Sequence, residues 1–222
     1  MRDKFESFRP MLLGHRMTSS SSANAELLLS QALAGSSECF GRLLHVYRNY
    51  LKLLVVTQLE QKLQQRVSPS DVVQETFLEA NRDFPQFRGS SSGEFCAWLR
   101  KILVNNLHRV VEKHVLAAKR DVRREVSLEN LATNLEESTA RLEAILPDQG
   151  TSPSGNAERQ EMEIALADHL AALPTDYRDV IVLRHLESLP FEEVGKRMQR
   201  SPGAARMLWL RAIQALRERM DG

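Results

Sequence analysis

Across residues 25–63 apolar side chains return every three or four positions: Leu27, Leu28, Leu33, Phe40, Leu43, Leu44, Tyr47, Leu51, Leu54, Val55, Leu59 and Leu63. That period lines them along one helical face, and "AGSS" at 34–37 divides the run into two helices. "SPSD" at 68–71 reads as a helix start with Ser70 or Asp71 as its cap. The helix that follows, "VVQETFLEANRDF", puts Val73, Phe77, Ala80 and Phe84 inward and stops at Pro85. A further helix is predicted over 94–119, burying Phe95, Leu99, Ile102, Leu103, Leu107 and Val110 with Val111. "SLENLATNLEESTARLEAIL" has a looser leucine pattern, enough for a short helix. Three helical units follow over 158–172, 177–188 and 191–198, then a long one after Ser201. No alternating strand pattern persists anywhere. The expected fold class is all-α, in two small helical domains.

Composition divides the chain further. Residues 1–22 read as a disordered tail, and Met17 is a second candidate start. The first domain is expected over 23–120 and the second over 158–222, with 121–157 as a linker. "PDQGTSPSGNA" at 147–157 has linker chemistry: Pro, Gly, Ser and Asn without a large apolar residue. Charged residues make up 27% and apolar ones 42%, which is globular composition. Two cysteines, Cys39 and Cys96, lack the spacing of a disulfide framework or a zinc site. No apolar run approaches the roughly 20 residues that a bilayer requires, so a cytoplasmic protein without a membrane partner is expected.

The formal net charge of +1 hides strong blocks. Residues 100–124 hold eight Lys/Arg against Glu112 and Asp121, a local +6. Residues 125–163 hold nine acids against Arg141 and Arg159, a local −7. Residues 196–220 hold seven Lys/Arg against Glu218, again +6. One such block is ordinarily a solvated helix face. Two of them, flanking an acidic stretch and each beside a motif, suggest two polyanion-binding surfaces on a tether.

The C-terminal block lies in "LPFEEVGKRMQRSPGAARMLWLRAIQALRER", which has helix-turn-helix grammar. Phe191, Val194 and Met198 put one face of a short helix inward, and Gly195 in its middle points to a close crossing. "QRS" is the turn; Ser201 caps the second helix and Pro202 opens it without needing an N–H partner. Arg206 and Arg211 face outward while Ala205, Leu208 and Ala212 pack back. Small residues near the start and long basic ones beyond suit a helix that enters the major groove. An ordinary helical hairpin with a basic surface is the bland alternative.

A second motif is "FPQFRGSSSGEFCAWL", in which Phe84, Phe87, Phe95 and Trp98 flank a flexible serine–glycine run. With "DVVQETFLEANRD" before it, "RKILVNN" after it and the C-terminal motif, it resembles bacterial RNA polymerase sigma factors of the extracytoplasmic-function (ECF) type. These have two conserved domains, regions two and four, joined by a linker. The resemblance covers about 25–120 and 158–220.

The resemblance implies a function for each piece: binding core RNA polymerase, recognising the promoter's minus-ten and minus-thirty-five elements and promoting DNA melting. Asp71, Gln74, Glu75 and Leu78 share one helical face by spacing, and the family docks that face on the clamp helices of the polymerase β′ subunit. The following loop captures a base flipped from the minus-ten element; the matching residues are Phe87, Arg88, Gly89 and Ser90, continuing through Ser91, Ser92 and Gly93. Phe87 is expected nearest the DNA, with Phe84, Phe95 and Trp98 serving mainly as core. Trp98 anchors the next helix, whose Lys101, Asn105 and Arg109 form one outward stripe for minus-ten DNA. Ser201, Ala204, Arg206, Met207 and Arg211 are the counterparts of the minus-thirty-five contacts. Met207 and Leu208 depart from the polar and basic residues frequent there, which suggests either fewer direct base contacts or a different minus-thirty-five sequence.

The resemblance also brings in the polymerase β flap and promoter DNA as partners, leaves room for an anti-sigma factor, and implies no cofactor. Fully extended, residues 125–157 reach on the order of 110 Å, more than the about 60 Å of a 17-base-pair spacer. The family threads this segment towards the RNA exit path.

Two rival readings remain. An enzyme finds little support: His108 and His114 are six apart, out of register for a helical metal pair, and neither a catalytic triad order nor a phosphate-binding glycine loop is present. No catalytic or metal-binding residues are assigned. A stand-alone helix-turn-helix regulator needs neither the 71–84 helix nor the serine–glycine loop.

Overall fold

The structure, a computed structural model, describes residues 18–59, 66–117, 128–143, 145 and 156–221. Among the described residues every regular element is helical.

Helix α1 (Thr18–Leu33) ends at Gly35, whose φ of +102° turns the chain into α2 (Ser37–Gln58). The Ser36 hydroxyl caps α2 by accepting the Cys39 N–H at 3.2 Å. The start of α1 corrects the expected tail: nothing between 18 and 33 breaks a helix, so α1 runs on N-terminal to its apolar stripe. Residues 1–17 of that tail, and Leu63, lie outside the described residues.

Helix α3 (Pro69–Asp83) also begins earlier than expected. Its cap is Ser68, not Ser70 or Asp71, and Pro69 supplies the first position because its fixed φ is helical and its missing N–H is not required there. A 3-10 turn (Phe84–Gln86) follows, then the loop, then α4 (Ser92–Ala117). The predicted inner face of α4 is the observed one, with Phe95, Leu99, Leu103 and Leu107 fully buried.

Helix α5 (Leu128–Glu143) occupies part of the expected linker and packs on α2 and α4, burying Leu131 and Leu135. The 118–127 and 146–155 stretches lie outside the described residues. Helix α6 (Asn156–Ala171) touches α1, α2, α4, α5 and the last helix, so it belongs to the core of both halves of the chain. Helix α7 (Thr175–Ile181) widens into a π-helical turn (Val182–Leu186). A π turn leaves carbonyls out of register; Arg141 of α5 donates to the Leu186 carbonyl at 2.9 Å and takes one of them. Helices α8 (Phe191–Arg197) and α9 (Pro202–Asp221) complete the chain.

Candidate nucleic-acid interface

On α3 the burial pattern separates two faces. Val72, Val73, Thr76 and Ala80 are buried against the bundle. Asp71, Gln74, Glu75 and Leu78 are all exposed, Leu78 to 63%. An isolated exposed leucine is unremarkable, but here it sits within an acidic and amide-bearing face on a helix held rigidly from behind.

The serine–glycine loop is far more tightly built than its composition suggests. Phe87 is only 8% exposed. Its ring lies 5.6 Å from Phe95 and 5.2 Å from Trp98, and is stacked 6.0 Å from Phe84. Phe87, expected to present the ring nearest DNA, is thus largely buried in the free chain. Apolar burial against three aromatic neighbours outweighs its position beside a glycine, and Phe84 and Trp98 are the half-exposed members. Gly89 seals the arrangement, because a Cβ there would stand 2.4 Å from the Phe87 ring.

Around that anchor the backbone is pinned by charge. Arg88 bends back to donate to the carbonyls of Pro85 at 2.8 Å and Phe87 at 3.1 Å. Glu94 Oε2 accepts the N–H groups of Ser90 at 2.8 Å and Ser91 at 3.1 Å, and the Ser91 hydroxyl at 3.1 Å. These backbone N–H groups hold the Glu94 carboxyl below the usual carboxylate range. The Ser92 N–H in turn donates to Glu26 of α1 at 2.8 Å.

Beyond the loop, Lys101, Asn105 and Arg109 are exposed on α4, as their spacing requires. Lys101 and Asn105 face solvent. Arg109 is instead tied to Glu79 of α3 and to Asn106, and Asn106 donates to Thr76 at 3.3 Å and to Glu79 at 3.2 Å. A phosphate contact through Arg109 competes with that ion pair.

In the C-terminal motif, α9 packs through Ala205, Ala212 and Leu216, all buried. Ser201, Ala204, Arg206, Met207 and Arg211 are exposed. The Ser201 hydroxyl accepts the Ala204 N–H at 3.2 Å, the expected cap. The guanidinium of Arg206 also lies over the Phe191 ring at 5.2 Å, a cation–π contact made while the residue stays exposed. Trp209 donates to His185 Nε2 at 2.9 Å and bridges α9 to the π turn.

Comparison with known proteins fits this geometry. The family description "Sigma-70, region 4" matches residues 169–218, which contain α7, α8 and nearly all of α9. The ECF RNA polymerase sigma-E factor of Haemophilus influenzae is 30% identical over 202 residues, covering 89% of this chain and 98% of that one. This chain is an ECF RNA polymerase sigma factor.

The sigma-E factor of Escherichia coli K12 is likewise 30% identical, over 86% of this chain and 91% of its own. The RNA polymerase sigma-H factor of Pseudomonas aeruginosa is 27% identical over 85% and 90%. This ECF sigma factor therefore acts in transcription initiation, with core RNA polymerase and promoter DNA as its partners. The similarity extends well beyond the helix-turn-helix, which disfavours the stand-alone regulator. Among the described residues no helix is long and apolar enough to cross a membrane.

Three residues of this ECF sigma factor escaped the sequence reading. Glu94 had a readable signal, since "SSGE" at 91–94 is a capping box, Ser-x-x-Glu, at the start of α4. Glu79 and Asn106 had none, because their partners lie about a helix and a loop away in sequence.

Proposed function

We propose that the three exposed faces divide the work of a sigma factor as follows. The α3 face of Asp71, Gln74, Glu75 and Leu78 docks on the β′ clamp helices. The Arg88–Ser90 loop, with Trp98 at its edge and the Lys101 and Asn105 stripe beyond it, holds melted minus-ten DNA, and Arg109 joins on release from Glu79. Helix α9 reads the minus-thirty-five element through Ser201, Ala204, Arg206, Met207 and Arg211, with its domain carried by the β flap. Residues 23–120 form the polymerase and minus-ten unit, 158–222 the minus-thirty-five unit, and 121–157 the segment between them. An anti-sigma factor that covers these faces is the natural form of control.

The observation that carries this reading is Leu78, an apolar side chain 63% exposed amid the polar face of an amphipathic helix. Acidic and amide groups around an apolar centre suit a basic helical partner. The deciding experiment is a competition for core RNA polymerase between the wild-type chain and Leu78→Glu. The variant should keep the wild-type thermal midpoint and lose polymerase binding by at least about tenfold, on the order of one lost interface anchor. Undiminished binding would remove α3 from the docking surface.

A further inference from the structure

The loop that carries "RGSSSG" is held from one side by a residue that no motif assigns to DNA. We infer that Glu94 is a positioning residue for promoter melting: its carboxylate fixes the Ser90–Ser91 backbone in the shape that receives an unstacked base. The inference rests on the proposal that this loop acts on the minus-ten element.

Four donors converge on the single oxygen Oε2 of Glu94: the N–H groups of Ser90 and Ser91 at 2.8 and 3.1 Å, and their hydroxyls at 3.4 and 3.1 Å. Helix capping accounts for only part of this set. A capping box needs the Ser91 hydroxyl on the Glu94 N–H, found at 3.3 Å, and the Glu94 carboxylate on the Ser91 N–H. The Ser90 N–H lies one residue further into the loop, and it donates the shortest bond of the set. The next N–H, that of Ser92, is taken by Glu26 of α1. Three consecutive amides of a serine run are thus engaged by carboxylates from two elements.

Glu94 also forms part of the steric frame. A Cβ on Gly89 would lie 2.9 Å from Glu94 Cβ as well as 2.4 Å from the Phe87 ring. The backbone of Gly89 therefore passes between the buried ring and the Glu94 stem, with no room for a side chain. Serine and glycine have little preference for any one backbone shape. Without the carboxylate, the loop must be ordered each time a base is captured, and that ordering opposes capture. The carboxylate is well suited to the role beside DNA because donor groups already surround the oxygen that bears its charge, and they favour its ionised form.

The test uses holoenzyme reconstituted from the full chain and core RNA polymerase, on a duplex promoter that the wild-type holoenzyme selects from a randomised library. Permanganate reactivity of minus-ten thymines reports melting. Affinity at low temperature reports the closed complex, and thermal midpoint and core binding report structure. Glu94→Ala should slow melting on the order of tenfold, the factor set by freezing one residue's backbone, with the other readouts within about twofold. Glu94→Gln, which keeps an acceptor oxygen, should recover part of the rate. Melting at the wild-type rate in Glu94→Ala overturns the inference, as does a parallel loss of midpoint, core binding and melting. Arg88→Ala separates the two levels: if it impairs melting while Glu94→Ala does not, only the positioning role fails. If neither impairs melting, the assignment of the loop to the minus-ten element fails as well.

Discussion

A Cβ added to Gly195 would stand 2.7 Å from the carbonyl oxygen of Arg200, in the turn that joins α8 to α9. The Gly195 carbonyl meanwhile accepts the Arg200 N–H at 2.8 Å, so the helix and the turn backbone are in direct contact. Gln199 completes the bend with a φ of +55°. Backbone cannot move aside as a side-chain end can. In Gly195→Ala the roughly 1 kcal/mol gained in helix propensity is outweighed by an overpacking cost of about 1–3 kcal/mol. The variant should unfold its C-terminal helices at lower urea, seen in Trp209 fluorescence, and bind a minus-thirty-five duplex more weakly in proportion.

Phe87 is predicted to act through stability. Its ring fills a cluster with Phe84, Phe95 and Trp98, so Phe87→Ala should cost about 3–5 kcal/mol and shift the melting midpoint reported by Trp98. Phe87→Leu retains much of the apolar volume and should cost less. A midpoint unchanged in Phe87→Ala would mean that the ring contributes little to stability.

These two positions show what was legible in the chain and what was not. The helical stripes of α2, α3 and α4 follow a period of three to four, so element type and inner face could be read directly. Gly195 could be read because a glycine inside a short helix costs stability unless a neighbour requires it. The burial of Phe87 could not, because periodicity stops at Phe84 and a lone ring beside "RGSSSG" has no phase. The attachment of α5 and α6 to the first four helices was equally hidden. It depends on contacts such as Asn49 with Asp168 at 2.8 Å, between residues more than a hundred positions apart.

Arg100 and Glu163 test that attachment. They form an ion pair at 3.6 Å between α4 and α6, with the Glu163 side chain only 4% exposed. Tyr50 and Cys96 lie beside it, and burial raises the Cys96 thiol above its usual range. Removing one partner leaves the other charge buried without it. Glu163→Ala is therefore expected to destabilise the α4–α6 contact by about 3–5 kcal/mol, measured as faster amide exchange in α6. Pairing it with Arg100→Met should restore part of the loss, since the uncompensated charge is then gone.

His185 makes the C-terminal domain sensitive to acid. Its Nε2 accepts the Trp209 N–H at 2.9 Å, which requires that nitrogen to be unprotonated. Burial, and then the neighbouring Arg184, lower its pKa from the ordinary imidazole value. An unfolded chain protonates this histidine near pH 6.5, and the folded domain does so only at lower pH. Between those two values the unfolded state binds more protons, so stability is complete above about pH 6.5 and falls as pH drops towards the folded value. Melting followed by Trp209 should occur at lower temperature at about pH 5.5 than at about pH 7.5. His185→Gln, which keeps an acceptor without the titration, should flatten that difference.

Arg206 provides the sharpest test of whether α9 reads DNA. Its guanidinium lies 5.2 Å from the centre of the Phe191 ring, which Arg184 also approaches at 5.1 Å. The ring thus orients the arginine before DNA arrives. A planar fork held this way suits two parallel hydrogen bonds to a guanine edge. Arg206→Ala should weaken minus-thirty-five binding by about 1–3 kcal/mol and relax preference at one base pair. Arg206→Lys keeps the charge and loses the fork, so it should lose the preference while retaining most of the salt dependence. If lysine instead preserves the base preference in a binding series over sequence variants, Arg206 contacts phosphate, and the discriminating contacts on α9 fall to its other exposed residues.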